Sequence, residues 1–334
     1  MQLPQFDYHA PDTLEKALAL KGNLGGMAPV LAGGTDLIVH LKQRLFSPAA
    51  VISLRNIKSL RGIETRADAI VIRAATPLAE IARDTSIQEH FPALVKAVNS
   101  IGATGIQAFR GTIGGNLCLQ PRCILYNQSR FWRTGKGSCH RTGGKDCLAL
   151  PGSESCHSVC SADTVPVLAA FSGQLTIAGS GGVRQIPVSD FFTGKGESPF
   201  KITPDEMVTE IRLPLPWAPA SSAYHRLGMR SAVDFPLANA AATAIMQDGK
   251  VETFRLVISS AGPAPVVLKE AEALIRGNKP DGAMIDQVRL MARRMAEGVV
   301  VENSSISKDY RIKMLGVMTA RAVKDVLGFA GPDR

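Results

Sequence analysis

All six cysteines of the chain fall between residues 118 and 160: Cys118, Cys123, Cys139, Cys147, Cys156 and Cys160. Thiols crowded this way, in a chain with none elsewhere, point to a shared ligand. Three chemistries compete. Disulfides need an oxidising compartment. Zinc favours closely spaced pairs, and Cys156 with Cys160 makes one, with His140 or His157 in reach. An iron–sulfur cluster needs four thiolates on a chain pliable enough to wrap it. The glycines and serines of this stretch suit that, although both common ferredoxin spacings are absent. Spacing alone leaves zinc and iron–sulfur open.

The thiol stretch leads directly out of "RGTIGGN" at 110–116, where Gly111, Gly114 and Gly115 alternate with Thr112 and Asn116. A similar segment, "LAGGTDL", comprises Leu31, Ala32, Gly33, Gly34, Thr35, Asp36 and Leu37. Backbone N–H groups at a glycine turn ahead of a helix can form an anion pocket. Asp36 would repel a phosphate, so helix capping or a bond to a ribose suits it better. A tight turn explains either segment taken singly. Two of them in one α/β region suggest a diphosphate held from both sides. Neither matches G-x-G-x-x-G or the G-x-x-x-x-G-K-[ST] loop, which disfavours a conventional dinucleotide fold.

The elements that must position these groups can be read around them. Residues 5–9 read as a strand and "PDTLEKALAL" as a helix, with Asp12 or Thr13 as N-cap. "APVLA", "LIVHLKQRLF" and "AVISL" continue as strand, helix and strand, which makes a small α/β unit. A hairpin follows at "GIETRADAIVIRAAT", then helices at "LAEIARD" and "FPALVKAVNSI". Periodicity fades through 118–160 and returns at "TVPVLAAF", "QLTIAG" and "EIRLPLP". Pro214, Pro216 and Pro219 mark a domain boundary. Strands at "SAYHRLGM", "ANAAATAIMQ" and "ETFRLVISSAG" precede two closing helices near 281–297 and 308–327. In the last of these, Leu315, Met318, Ala322 and Val326 share one face.

With 334 residues, 45% hydrophobic and 20% charged, the chain has material for two or three cores. It has no apolar run of membrane-spanning length, and no leader opens it, which places the thiols in a reducing, cytoplasmic setting. The net charge of +9 comes without a basic block, and aromatics are only 5%, so nucleic acid is not an expected partner. Much of that charge surrounds the thiols: Arg122, Arg130, Arg133, Lys136, Arg141 and Lys145 face only Asp146 and Glu154. Positive surroundings favour thiolates and could steer an acidic electron-transfer partner.

"LAGGTDL", "RGTIGGN", "AAT" at 74–76, "SADTVPVLAAF" at 161–171 and "DFPLANAA" at 234–241 together resemble the FAD-binding subunits of the molybdenum hydroxylases. The stretch from "QPRC" to "ESC" is similar to the β subunit of 4-hydroxybenzoyl-CoA reductase, which carries an additional 4Fe–4S cluster. That family's C-x15-C-x7-C-x8-C pattern is reproduced by Cys123, Cys139, Cys147 and Cys156. The resemblance implies an α+β fold in three parts. A small α/β subdomain (1–56) and a larger α+β subdomain (57–217), with a cluster-binding insertion at 119–160, would clasp FAD. A C-terminal α/β domain (218–334) would follow. Residues 31–37 and 111–116 would hold the diphosphate, and Asp163 and Arg226 would lie near the flavin. Relatives have lysine at the position of Arg226. Cys118 matches a cysteine outside the cluster set, and Cys160 has no counterpart.

The implied activity is electron transfer without a catalytic acid or base in this chain. A ferredoxin-like carrier would feed the 4Fe–4S cluster, then FAD. The 2Fe–2S centres of a small subunit and a molybdopterin cofactor in a large one would follow, where an aryl-CoA is dehydroxylated. The expected assembly is a dimer of heterotrimers. The alternatives are the flavin subunit of a molybdenum hydroxylase acting on an N-heterocycle or aldehyde, and a zinc-stapled scaffold.

Overall fold

The computed structural model describes residues 2–102 and 105–329, so Met1, residues 103–104 and the last five of the expected C-terminal domain lie outside it. The first 53 residues build a three-stranded parallel sheet from β1 (Asp7–His9), β2 (Val30–Leu31) and β3 (Ala50–Ser53), in the order β1-β3-β2. Helix Leu14–Leu24 packs on it, with Thr13 as N-cap accepting from the Lys16 N–H at 3.3 Å. Ala17, Ile52, Leu54 and Leu60 close this core.

A second, five-stranded antiparallel sheet is formed by β4 (Ile63–Thr65), β5 (Ala69–Arg73), β6 (Gln174–Gly179), β7 (Gly182–Pro187) and β8 (Met207–Pro214), in the order β4-β5-β8-β6-β7. The hairpin expected at 62–76 is β4–β5. Along β8, Ile211 and Leu213 are buried and alternate with half-buried Glu210 and Arg212, the period of a strand with one face in the core. The glycine segment at 110–116 and the cysteine stretch both emerge between β5 and β6. Where periodicity fades, the chain is mostly irregular, with one short α-helix, Arg130–Thr134, capped by Ser129, and one 3-10 turn, His140–Thr142.

The C-terminal unit is a four-stranded sheet of β9 (Ser221–Leu227), β10 (Ala238–Gln247), β11 (Lys250–Ser259) and β12 (Val266–Val267). Every pairing in it is antiparallel, and its helices follow the strands instead of alternating with them. It is thus an α+β arrangement where an α/β one was expected. Alternation fails because each β9–β11 link is too short to carry a crossover helix. Helices Lys269–Ile275, Gly282–Val299 and Lys308–Val326 cover one face, the last through Leu315, Met318, Ala322 and Val326.

The opposite face of that sheet is buried as well. Tyr224, Ala241 and Val257 join the central core, against a helix (Thr164–Ala170) whose seven residues are all buried. Alanines along β10 let this helix approach closely, and the Thr243 hydroxyl donates to the Ala170 carbonyl at 3.1 Å. Among the described residues, no helix is long and apolar enough to cross a membrane.

Candidate functional site

A cleft of about 870 Å³ runs between the three units. Its walls include Ala32, Gly33, Gly34, Thr35, Asp36 and Leu37 from the first glycine segment. Gly111, Thr112, Gly114, Gly115 and Asn116 come from the second, together with Asp163. The two segments touch. A Cβ on Gly33 would sit 1.7 Å from the Arg110 carbonyl oxygen, so only glycine permits the approach. Gly34 adds a φ of +76°. The second segment is not a plain turn. It closes into a short helix (Ile113–Leu117), with the Thr112 hydroxyl accepting from the Gly115 N–H at 3.1 Å. The Asn116 side-chain oxygen accepts from the Thr164 hydroxyl at 2.6 Å and from its N–H at 3.2 Å.

Leu31 and Arg226 are not among the cleft walls. Leu31 lies in β2. Arg226 stands behind Asp163, with Nε 3.2 Å from the carboxylate and its other nitrogens on the carbonyls of Ser100 and Asp234. Asp163 is buried and accepts from the Tyr224 hydroxyl at 2.6 Å. Burial pushes its carboxyl up to about 7, against the opposing pull of Arg226 and Tyr224.

Asp36 does not cap its helix through its side chain. It forms an ion pair with Arg122, whose Nη1 lies 3.0 Å from His40 Nε2 and whose guanidinium stacks on Phe235 at 4.2 Å. Burial holds His40 down to about 4, so its imidazole is neutral at pH 7. This cluster escaped the sequence reading, in which Arg122 was one positive charge among six. Its position directly before Cys123 was the available signal. Three buried polar atoms on cleft-lining residues lack any partner: Gln43 Oε1, Asn127 Nδ2 and Arg122 Nε. A large cleft of this kind, with a few unpaired donors and acceptors, is suited to a sizeable, mostly flat cofactor.

Beside the cleft lies a small cavity lined by Cys123, Cys139, Cys147 and Cys156, with Leu125, Tyr126, His140, Leu148, Ala149 and Ser158. Cys123 belongs to the walls of both. All six cysteines are free thiols. Each of the four is held by its backbone N–H: Cys123 by Asn127 Oδ1 (2.9 Å), Cys139 by the Thr142 hydroxyl (2.8 Å), Cys147 by Asp146 (2.8 Å) and Cys156 by Glu197 (2.9 Å). Burial raises the thiols of Cys123 and Cys156, and the Ser158 N–H aimed at Cys156 Sγ (3.4 Å) works the other way. The Arg141 guanidinium lies 3.9 Å over the Tyr126 ring, which brings a positive charge to the cavity rim.

Among the described residues, no three metal-binding side chains converge closely enough for a single ion. The zinc pair of Cys156 and Cys160 is not assembled. Cys160 lies outside the cavity, fully buried, with its N–H on the Gly262 carbonyl and its thiol pushed up to about 11. His140 and His157 are both engaged with Ser153. Cys118 is also outside the cavity, and burial pushes it up to about 12. Cys123, Cys139, Cys147 and Cys156 thus share one space, apart from Cys118 and Cys160.

Fold and site together define a flavoprotein module of the molybdopterin-dependent dehydrogenases. Residues 4–216 match the FAD binding domain in molybdopterin dehydrogenase and residues 222–326 the CO dehydrogenase flavoprotein C-terminal domain, and the chain belongs to that family. It is 25% identical over 327 residues to the xanthine dehydrogenase FAD-binding subunit of Escherichia coli O157:H7, covering 97% of each chain. It is 27% identical over 321 residues to the carbon monoxide dehydrogenase medium chain of Afipia carboxidovorans, covering 96% of each. The nicotinate dehydrogenase FAD-subunit of Eubacterium barkeri shares 27% over 281 residues, or 82% of this chain and 81% of that one. Among solved structures, reconstituted CO dehydrogenase from Oligotropha carboxidovorans superposes with a TM-score of 0.79 at 26% identity, over 99% of this chain and all of that one. The chain is thus an oxidoreductase subunit of the flavoprotein type.

Proposed function

We propose that this chain is the electron-transfer subunit of a heteromeric molybdenum enzyme, holding FAD in the cleft and a 4Fe–4S cluster in the adjoining thiol cavity. The observation that carries the proposal is the place of Cys123 in the walls of both sites. When bound, FAD exchanges electrons in pairs or singly and the cluster exchanges them singly. The chain's own residues bind and orient. Residues 32–37 and 111–116 receive the diphosphate, Asp163 stands at the flavin, and Arg226 acts through Asp163. Cys123, Cys139, Cys147 and Cys156 are the cluster ligands. The division into 1–56, 57–217 with its insertion at 119–160, and 218–334 belongs to this reading, supported by one sheet in each part.

Relatives named for xanthine, carbon monoxide and nicotinate dehydrogenases support a partner set that oxidises its substrate. The partners would be a large molybdopterin subunit and a small 2Fe–2S subunit, paired as a dimer of heterotrimers. A N-heterocycle or aldehyde is the substrate class this favours. A second reading reverses the flow, with a ferredoxin-like carrier feeding the cluster and an aryl-CoA reductively dehydroxylated, as in 4-hydroxybenzoyl-CoA reductase. One observation favours it: the convergence of the four thiols on a single cavity. Anaerobic purification with the partner subunits tests both. About four irons with matching sulfide per flavin is expected, and zinc without iron overturns the cluster. Assays with heterocycles, aldehydes and aryl-CoA then separate the two directions.

A further inference from the structure

Two of the four cavity thiols are each followed by a residue gripped from the C-terminal unit. The N–H of Ile124, next to Cys123, donates to the Asn303 backbone carbonyl at 3.0 Å. The Asn303 side-chain NH2 donates to the carbonyl of His157, next to Cys156, at 2.5 Å. One asparagine, 3% exposed, thereby holds both the entry and the exit of the cysteine excursion. Its amide orientation is forced by chemistry. Arg311 has only donors, so its Nη1 (2.8 Å) must face Asn303 Oδ1, and the His157 carbonyl only accepts, so it must face Nδ2.

Arg311 is 1% exposed and, among the described residues, makes no ion pair. Its remaining bonds go to the carbonyls of Val301 (3.2 Å), Ser260 (3.0 Å) and Leu237 (3.5 Å). Ser260 in turn donates its N–H to the Cys160 carbonyl at 3.2 Å. A buried cation solvated only by carbonyls is costly, and here it aligns one amide and the strand beneath it. A positive partner on Oδ1 also polarises the amide and strengthens donation from Nδ2.

We infer that Asn303, aligned by Arg311, is a positioning residue that sets the separation of Cys123 and Cys156 before the cluster is inserted. The inference rests on the cluster reading above. Arg122 and Val159 exchange backbone hydrogen bonds at 2.8 and 2.7 Å, which pairs the chain just outside the two thiols, and Asn303 adds a contact one residue inside that bridge at each end, at Ile124 and His157. Groups that orient metal ligands without touching the metal govern retention strongly.

The test compares Asn303→Asp and Asn303→Ala in the purified complex. Asn303→Asp keeps an acceptor for Arg311 but presents an oxygen to the His157 carbonyl. The expected result is iron loss to a chelator about ten-fold faster than wild type, with a shifted EPR signal from the reduced cluster. If Asn303 served only as a partner for Arg311, Asn303→Asp would behave as wild type and Asn303→Ala would be the damaged variant. That outcome overturns the inference. Amide exchange in cluster-free protein gives a readout independent of iron, and residues 124 and 157–160 should exchange about ten-fold faster in Asn303→Asp. Wild-type protein without iron would overturn the cluster reading and the inference's first arm, whereas unchanged exchange would overturn the clamp itself.

Discussion

The guanidinium of Arg122 meets the carboxylate of Asp36 across 86 residues of sequence, and the next residue along the chain is Cys123. One ion pair therefore joins a glycine loop of the cleft to the first thiol of the neighbouring cavity. It is roofed by Phe235 from the C-terminal unit. The pair is mostly buried, with 17% and 22% of the two side chains exposed.

Removing one partner would leave the other charge largely desolvated. Arg122→Met is expected to destabilise the fold by about 2 kcal/mol, below the range for fully buried pairs because some solvent reaches both groups. Chemical denaturation measures this. The double variant Arg122→Met with Asp36→Asn should recover part of the loss. If it instead sums the two single losses, the pair is not the source.

The four cavity cysteines and the two outside it should separate cleanly. Serine at Cys123, Cys139, Cys147 or Cys156 is expected to abolish visible iron–sulfur absorbance while bound flavin persists. Alanine at Cys118 or Cys160 should leave that absorbance intact, since neither lines the cavity: Cys118 faces the cleft and Cys160 is buried elsewhere. Iron and flavin quantified on the same samples decide it, and parallel loss of both cofactors would mean that the two sites are one structural unit.

Glycine positions give predictions of opposite sign. In Gly33→Ala the new methyl would sit 1.7 Å from the Arg110 carbonyl oxygen, and backbone cannot swing aside as a side chain can. Separating the two loops should cost about 1–3 kcal/mol and lower flavin content at a given concentration. Gly22, inside the helix Leu14–Leu24, meets nothing within 4 Å of an added Cβ. Gly22→Ala should therefore raise stability by about 0.5–1 kcal/mol without touching flavin binding. Thermal melts with and without added FAD distinguish the two effects.

These contrasts also explain what was legible in the sequence. Local signals carried through: Thr13 caps its helix, the β4–β5 hairpin forms, and Leu315, Met318, Ala322 and Val326 bury the face their spacing marked. The glycine segments and the four thiols were visible because their residue types are scarce and clustered. What stayed hidden depends on distant partners. Asp36 suggested a helix cap, yet its side chain pairs with Arg122, and nothing around Asn303 announces that it reaches residues 124 and 157. In the C-terminal unit the strands and the two closing helices were legible in order, whereas the α/β label came from the resemblance and the antiparallel pairing of β10 with β9 and β11 has no marker in an alanine-rich strand.

Asp163 offers a pH test. Its carboxyl is enclosed by Tyr224, which donates to it, by Arg226 at 3.2 Å, and more remotely by Asp234, whose charge opposes ionisation. Desolvation outweighs the favourable contacts and lifts the group from an ordinary 3.8 to about 7. The native state therefore binds this proton more tightly than the unfolded chain does. Between those two values stability must fall as pH rises, because the folded protein has to bear an ionised buried group that the unfolded chain ionises freely. Asp163→Asn keeps the size and an acceptor for Tyr224 but cannot ionise. Its stability relative to wild type should improve from about pH 4 to about pH 7 and then level off, read as the difference in urea midpoint at each pH. A constant difference across that range would mean that Asp163 is ionised throughout, with Arg226 fully compensating its burial.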